Sequence, residues 1–361
     1  MNRIINILLL LVFLLSYTFV SGQNKTEKIK TFLNDLKPEQ FSGTILVAHK
    51  DSIVEKRAYG LASIEYNVKN KIDTKFNIAS ISKMITAVAT LKLFEQDKID
   101  LNVPIKKYLP NYPKKIVRDS VTIHQLLSHT SGLNNFYVSY AEELSNTKYD
   151  SISDFVPLFS DEPLLSKPGV QYNYSASGYV ILGLIIEEVS GQNYYDYVND
   201  NVFIPSGMLN TREHNVDDVI SNKASGYSSM FGDAEILTKN DSYLSKASPG
   251  GFHYSTAEDL YNFSKKLTDG TLLKTETVEL MFEPKVKGQN TYLGYGVDVD
   301  TRYNQTIQGQ SGGWYGVHCE LMDFTKDKYT VIVLSNMDSS SESGASMVIN
   351  FFKVLLAGKR L

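Results

Sequence analysis

The chain has 361 residues, of which 42% are hydrophobic and 21% are charged, and its formal net charge is −4 at pH 7. This length and composition provide for a large core, in one big domain or in two joined parts. The acidic balance offers no basic surface for nucleic acid, so we predict no nucleic-acid partner.

The amino terminus predicts export from the cytoplasm. Arg3 precedes an apolar run over residues 4–15, and small residues follow before Gly22. This pattern is typical of a secretory signal peptide, so we predict that residues 1–22 are cleaved near Gly22. The alternative is a retained anchor, but the apolar run is short for a membrane span. The only cysteine is Cys319, so no lipid anchor is expected, and the mature protein is predicted to be secreted or periplasmic.

The remaining chain alternates between strand and helix patterns. Runs of β-branched and aromatic residues predict strands over 41–49, 53–59, 293–299, 306–310, 316–322 and 329–335. Apolar residues at helical spacing predict helices over 24–36, from Ser80 to about Asp97, and over 182–189, 259–267 and 344–356. The helix over 182–189 is expected to be capped by Gly191, and the helix over 259–267 to be capped by Ser255 or Thr256.

Strands at both ends of the chain with helices between them predict one sheet that contains the first and the last segments. The expected fold class is α+β (layered α/β): an antiparallel sheet flanked by helices, with an inserted helical subdomain. Residues 23–361 are predicted to form one domain. Its sheet subdomain would span about 23–90 plus 256–361, and its helical subdomain about 91–255.

Residues 76–83 place a serine hydroxyl and a lysine amine three residues apart at the start of an apolar helix. Residues at this spacing share one helix face, so Ser80 and Lys83 are expected to meet. A serine hydroxyl becomes a nucleophile when a neighbouring base takes its proton. Burial lowers the pKa of a lysine amine, because desolvation disfavours its charged form, and the apolar run after Lys83 predicts burial. The pattern therefore suggests an activated Ser80.

The same spacing also occurs where no catalysis is expected. Ser145 and Lys148 repeat it in a polar stretch with no apolar helix after it, and we interpret that copy as surface. For Ser80 the simpler reading is a helix cap with a solvated lysine beside it. The pattern by itself leaves both readings open.

Further motifs accompany Ser80 along the chain. They are the segments 76–83, 126–133 (Leu-Leu-Ser-His-Thr-Ser-Gly-Leu), 168–179 (Pro-Gly, then Tyr-Ser), 248–260, 309–313 and 333–337. Together these segments resemble the serine β-lactamase-related hydrolases, a group that includes penicillin-binding carboxypeptidases, class C β-lactamases, related esterases and D-amino-acid peptidases. The resemblance spans nearly the whole mature chain, from Phe41 to Phe352.

The resemblance implies a bacterial serine hydrolase that works through an acyl-enzyme. Ser80 would be the acylated nucleophile, Lys83 its proton acceptor and Tyr174 the relay that passes the proton to the leaving group. The backbone N–H groups of Ser80 and Gly313 would form the oxyanion hole, which needs two preorganised donors. Substrate binding would involve Gln310, Ser311, Gly312, Trp314, Ala176 and His253. The expected substrate is an ester, an amide or a peptide, with cell-wall-derived peptides among the candidates and no cofactor.

Two positions depart from the usual motifs of these hydrolases. Ala176 stands where an asparagine is usual, and Gln310 stands where histidine or lysine is usual. The losses weaken the case for hydrolysing β-lactams or recognising a terminal carboxylate, but they leave acyl transfer itself possible. They also motivate an alternative function, a catalytically impaired binding or sensor protein on the same fold.

Other chemical readings are less well supported by the sequence. Residues 309–313 fit the Gly-x-Ser-x-Gly nucleophile elbow, which needs an acid and then a histidine after the serine. The only later histidine is His318, no acidic residue lies between Ser311 and His318, and no helix is predicted after the serine. His129 lies in the 126–133 motif, and we expect a hydrogen-bonded structural residue there. The six histidines show no metal-ligand spacing, so no metal is predicted.

Overall fold

The computed structural model describes residues 25–139, 149–213, 215, 217–229, 237–240, 246–338 and 344–358. The predicted signal peptide over 1–22 lies outside these residues, as does the Ser145–Lys148 segment. Across the described ranges, no helix has the length and apolar character that a membrane crossing requires.

Fourteen strands are found in the described residues. They are β1 Gly43–His49, β2 Ser52–Tyr59, β3 Leu61–Ser63, β4 Val68–Lys69, β5 Phe76–Asn77, β6 Gly226–Ser228, β7 Thr238–Asn240, β8 Tyr254–Ser255, β9 Val286–Lys287, β10 Tyr292–Leu293, β11 Asp298–Asp300, β12 Ile307–Trp314, β13 Val317–Phe324 and β14 Tyr329–Ser335.

The helices of the described residues include both long and very short elements. They are α1 over 25–35, α2 Ser82–Glu95, α3 Lys115–Ser120, α4 Ile123–Leu127, α5 Phe136–Ser139, α6 Ala176–Ser190, α7 Tyr194–Val198, α8 Ile204–Ser206, α9 Ala257–Thr268, α10 Thr275–Phe282 and α11 Gly344–Phe352. Tight 3₁₀ turns cover Ala79–Ile81, Ile105–Lys107 and Ile152–Leu158, and π-helical turns cover Asn199–Phe203 and Lys353–Ala357.

Eight strands form one antiparallel sheet in the order β2-β1-β14-β13-β12-β11-β10-β9. The first long strand pairs with the last one, with Gly43 opposite Ser335 and His49 opposite Tyr329. The prediction that the two ends of the chain share a sheet is therefore confirmed, and so is the α+β fold class. The division into a sheet and a helical subdomain stays a prediction.

Both faces of this sheet are covered, because successive side chains in a strand point to opposite sides. In β14, Val331 and Val333 pack into the core shared with α1 and α11, whereas Ile332 and Leu334 pack into the larger core beneath the helical layer. Cys319 of β13 is fully buried in the larger core. Two separate apolar cores therefore hold the sheet between helical layers.

Helix α2 lies inside the larger core and packs against α6. Eleven of its fourteen residues are buried, which explains why its sequence is apolar on nearly all sides. The prediction of a buried helix after Ser80 is therefore confirmed. Its first turn carries Lys83, so the fold takes this amine away from solvent.

Several predicted boundaries differ from the observed ones. The predicted strand over 293–299 is two short strands, β10 and β11, because a turn with Gly296 at φ +70° separates them. Gly294 in the same turn could not carry a side chain, since its Cβ would lie 2.1 Å from the Met281 carbonyl oxygen. The predicted helix over 182–189 is longer, because α6 begins directly after the N-cap Ser175. Its predicted Gly191 cap is confirmed, with φ +70°.

Candidate active site

Ser80 lies in the tight turn that leads into α2. The residue before it, Ala79, has φ +41°, a left-handed conformation that is unusual for any residue other than glycine. The Asn77 side-chain oxygen accepts a hydrogen bond from the Ala79 N–H at 2.9 Å and helps to hold this turn. A strained backbone thus presents Ser80 at the start of the buried helix.

The structure brings the three predicted catalytic side chains together. The Tyr174 hydroxyl donates a hydrogen bond to Ser80 Oγ at 2.7 Å, and Lys83 Nζ contacts the same oxygen at 3.2 Å. Tyr174 and Ser80 are 94 positions apart, so only the folded chain creates this contact. A hydroxyl, an amine and a phenol within hydrogen-bond reach can exchange a proton.

The Lys83 amine is enclosed by protein. Its side chain is fully buried, and Nζ donates a hydrogen bond to the Gly250 carbonyl oxygen. The rings of Tyr174 and Tyr179 lie 4.8 and 5.6 Å from Nζ. Burial lowers the pKa of Lys83 from 10.5 to about 7. A large share of this amine is therefore neutral at pH 7, the state that can accept a proton.

Tyr174 is positioned by the start of α6 and by His129. The Ser175 side chain caps the helix by accepting from the Gly178 N–H at 3.0 Å, which fixes the chain directly after Tyr174. The His129 ring lies 4.5 Å from the Tyr174 ring, and its Nδ1 accepts from the Ser175 N–H at 3.2 Å. Burial lowers the pKa of His129 to about 3 and raises the pKa of Tyr174. The prediction of a hydrogen-bonded structural histidine is confirmed.

Strand β12 passes directly beside Ser80. A Cβ on Gly312 would lie 2.3 Å from the Ile78 carbonyl oxygen and 3.2 Å from the Ser80 nitrogen, so only glycine fits there. At Gly313 a Cβ would meet no atom closer than 4.0 Å. The predicted strand over 306–310 is wrong at its end, since β12 continues to Trp314 and contains these glycines. The backbone at Gly313 is therefore open to a ligand above Ser80.

Gln310 and Ser311 lie on the same strand but play different structural roles. The Gln310 side chain is buried, and its amide donates to the Gly296 carbonyl oxygen at 3.1 Å. Its side-chain oxygen accepts from the Ser311 N–H at 3.0 Å. Ser311 itself is exposed. The Gln310 side chain is therefore a neutral amide whose oxygen and nitrogen are both bound to backbone groups.

Ala176 and His253 were predicted to contact substrate, and the structure does not place either side chain in the cleft. Ala176 is fully buried in the first turn of α6, and its N–H contacts the side-chain oxygen of Asn135 at 3.4 Å. His253 is also fully buried, with its ring 5.9 Å from the Phe203 ring. The prediction for His253 is corrected because the Gly250–Gly251 turn directs its side chain into the core.

Trp314 belongs to an aromatic cluster at the end of β12. Its ring lies 5.7 Å from the Phe252 ring and 5.9 Å from the Tyr137 ring. It is partly buried, so one side of the indole remains accessible. An apolar wall beside Gly313 is therefore present, and its contact with substrate stays a prediction.

A cavity of about 440 Å³ opens on the other side of Ser80. Its lining includes five predicted site residues, Ser80, Tyr174, Gln310, Ser311 and Gly313. It also includes Tyr172 and Asp298, which sequence reasoning missed. The signal for Asp298 was available, since an alternating run with two aspartates over 297–300 stands out among apolar strands. Within the described ranges, no group of histidine, cysteine or carboxylate residues could hold a metal ion.

Ser80, Lys83 and Tyr174 thus lie together beside a sheet that is covered by helices on both faces. Comparison with known proteins shows the family to which the chain belongs. The sequence profile described as "Beta-lactamase" matches residues 36–350. The "Penicillin-binding protein 4*" of Bacillus subtilis (strain 168) is 28% identical over 336 residues, which cover 89% of this chain and 74% of that protein. This chain belongs to the Beta-lactamase family.

Solved structures of related proteins share the fold. A penicillin binding protein from Bacillus halodurans superposes with a TM-score of 0.78 at 28% identity, covering 86% of this chain and 96% of that chain. The D-amino acid amidase from Ochrobactrum anthropi SV3 superposes with a TM-score of 0.75 at 21% identity, covering 92% of this chain and 96% of that chain. The fold is therefore β-lactamase/transpeptidase-like.

Proposed function

We propose that this protein is an exported serine acyl-hydrolase that forms an acyl-enzyme on Ser80. One observation carries the proposal: the Ser80 hydroxyl lies within hydrogen-bond reach of both a buried amine, Lys83, and a buried phenol, Tyr174. Burial keeps much of the Lys83 amine neutral at pH 7, as a proton acceptor must be. Without that acceptor, the serine hydroxyl would be a weak nucleophile.

The proposed reaction has two halves. In the first, the Ser80 proton moves to Lys83 while Oγ bonds to the substrate carbonyl carbon. The N–H groups of Ser80 and Gly313 stabilise the oxyanion, and each such donor is worth about 3–4 kcal/mol of barrier. Tyr174 then protonates the leaving group as its bond to carbon breaks, and the phenol regains a proton from Lys83. In the second half, water gives a proton to the same groups as its oxygen bonds to the acyl carbon. The bond between this carbon and Ser80 Oγ then breaks, Oγ regains a proton, and the carboxylic acid leaves.

The substrate is proposed to be an ester, an amide or a peptide. From Gln310 to Trp314, β12 has β13 as its only strand neighbour in the described residues, because β11 pairs with Ile307–Gly309 alone. A free strand edge beside Ser80 can pair with an extended peptide-like substrate. The relatives named penicillin-binding protein and D-amino acid amidase support an amide or peptide, with cell-wall-derived peptides among the candidates.

A serine-directed fluorophosphonate tests the nucleophile. We expect one adduct per chain, located on Ser80 by peptide mass spectrometry, and no adduct on Ser80→Ala. The variant should keep its thermal unfolding temperature and retain below about one per cent of turnover, measured on a panel of p-nitrophenyl esters and D-amino-acid amides. Labelling of another serine, or full turnover by Ser80→Ala, would assign the chemistry elsewhere.

The second candidate is a binding or sensor protein on this fold. It is motivated by Ala176, which provides no side-chain amide, and by Gln310, whose amide is occupied by backbone partners. The fluorophosphonate experiment separates the two functions. A folded wild-type protein that forms no adduct and turns over no member of the panel would favour the binding protein.

Export is part of the proposal and is tested separately. The motivating observation is the apolar run over residues 4–15 with Arg3 before it. We expect the protein expressed from its full sequence in a bacterial host to appear in the periplasm or the medium, with an amino terminus close to residue 23. A full-length protein retained in the membrane fraction would instead indicate an uncleaved anchor.

A further inference from the structure

The cavity beside Ser80 contains one carboxylate, Asp298, that forms no ion pair with any residue the structure describes. Four charged side chains line this cavity: Asp298, Asp300, Glu320 and Lys353. The cavity starts at Ser80 and Tyr174 and follows β11 and β12 toward the loop before β10. Its volume of about 440 Å³ is within the range of small-molecule sites, about 300–1,000 Å³.

Two of the three carboxylates have a cationic partner. Asp300 contacts Arg302 through both oxygens, at 2.7 and 2.9 Å, and Glu320 binds Lys353 Nζ at 2.6 Å. Asp298 forms no ion pair with any described residue; Lys353 acts on it only as a nearby charge and is itself bound to Glu320. Burial, reinforced by Glu320, raises the pKa of Asp298 to about 7. A cation bound nearby would favour the ionised carboxylate.

The leaving group of the substrate enters this cavity. A leaving group must lie within hydrogen-bond reach of the group that protonates it. In the proposed mechanism that group is Tyr174, whose side chain lines the cavity together with Asp298. The aromatic cluster around Trp314, at the far end of β12, lies outside the cavity lining and is left for the acyl part of the substrate.

We propose that Asp298 is a specificity-determining residue that selects substrates whose leaving group carries a positive charge, such as an ammonium group. An unpaired carboxylate attracts such a group and repels a terminal carboxylate. Gln310 provides no positive charge that would neutralise Asp298, because its side chain is a neutral amide that is bound to backbone groups. This inference rests on the proposed acyl-enzyme chemistry at Ser80.

A pair of irreversible phosphonates tests the selection. Both carry the same methylphosphonate ester; one has a thiocholine leaving group, and the other has the uncharged 3,3-dimethylbutanethiol group of the same shape. Ser80 Oγ bonds to phosphorus, and the thiolate departs into the cavity. The measured quantity is the second-order rate constant of Ser80 modification, followed by intact mass and divided by the rate constant of the same probe with hydroxide, because the cation by itself makes thiocholine the better leaving group. We expect the cationic probe to react at least about tenfold faster, the factor that corresponds to 1.4 kcal/mol.

Two variants assign the preference to one carboxylate. In Asp298→Asn, which keeps the shape of the side chain, the ratio of the two rates should fall to about one. Glu188→Gln removes the same charge from an exposed position of α6, and it should keep the wild-type ratio. Thermal unfolding of both variants checks that they are folded. Even where a variant does not fold, the comparison of the two probes on the wild-type protein shows whether a cationic leaving group is preferred.

The outcomes separate the two proposals. Equal rates for the two probes on a wild-type protein that a fluorophosphonate labels at Ser80 would overturn the selection and leave the hydrolase intact. An undiminished ratio in Asp298→Asn would move the selection to another residue and overturn the role of Asp298. A folded protein that neither the fluorophosphonate nor these probes label would overturn the acyl-enzyme, and the selection with it.

Discussion

Replacing Lys83 by methionine should remove activity and change stability in a pH-dependent way. The methionine side chain has nearly the same length as that of lysine and packs well in an apolar core. Turnover should fall by a factor of about 10²–10⁴, the usual contribution of a general base. The stability effect is more diagnostic, because it reports the protonation state of the buried amine directly.

The magnitude follows from the difference between a pKa of 10.5 for a solvated lysine and about 7 for Lys83. At pH 7 this difference costs the folded state about 4 kcal/mol, which methionine would not incur. The substitution leaves the Gly250 carbonyl oxygen without its donor, a loss of about 1–3 kcal/mol. The variant should therefore be more stable than the wild type at pH 7 by about 1–3 kcal/mol.

The pH dependence has a definite sign. The pKa of Lys83 is lower in the folded than in the unfolded chain, so the unfolded chain binds more protons between pH 7 and 10. The free energy of unfolding of the wild type therefore increases, through Lys83, as the pH rises through that window. Between pH 7 and 9 the advantage of Lys83→Met over the wild type should shrink by about 2 kcal/mol. Because both proteins share all other titrating groups, the difference isolates Lys83.

Urea unfolding at pH 7, 8 and 9, followed by intrinsic fluorescence, measures this difference. Lys98→Met is the matched control, since it removes a lysine from an exposed position just after α2. Its stability relative to the wild type should change little with pH. A constant difference between Lys83→Met and wild type over this range would refute the reasoning, because Lys83 would then have an ordinary pKa and could not be neutral at pH 7.

Four further substitutions test the geometry around Ser80. Tyr174→Phe removes the donor to Ser80 Oγ; kcat should fall about 10²–10⁴-fold with KM little changed, and an unchanged kcat would exclude the relay. Gly312→Ala forces a Cβ into the backbone beside Ser80 and should cost about 1–3 kcal/mol in urea unfolding, whereas Gly313→Ala should remain as stable as the wild type. Ala79→Gly should stabilise the protein by about 1 kcal/mol if φ +41° is strained, and calorimetry that finds destabilisation would contradict that strain.

The site was only partly visible in the sequence. Ser80 and Lys83 are three residues apart on one helical turn, so local periodicity was enough to predict their contact. Tyr174 could be singled out only through a resemblance between motifs, because no local rule links it to a serine 94 positions away. Asp298 went unnoticed although the alternating run over 297–300 marked it, because only the neighbouring strands place its side chain beside the cavity.

The sequence by itself determined the buried helix after Ser80, the strands β1, β13 and β14, and a sheet flanked by helices. These features depend on the spacing of apolar residues, which is a local property of the chain. The tertiary structure alone decided that Gly296 divides a predicted strand and that His253 turns into the core. It also placed Tyr174, Asp298 and Ser80 around one cavity. Such contacts join residues far apart in the chain, and their geometry depends on the packing of the whole domain.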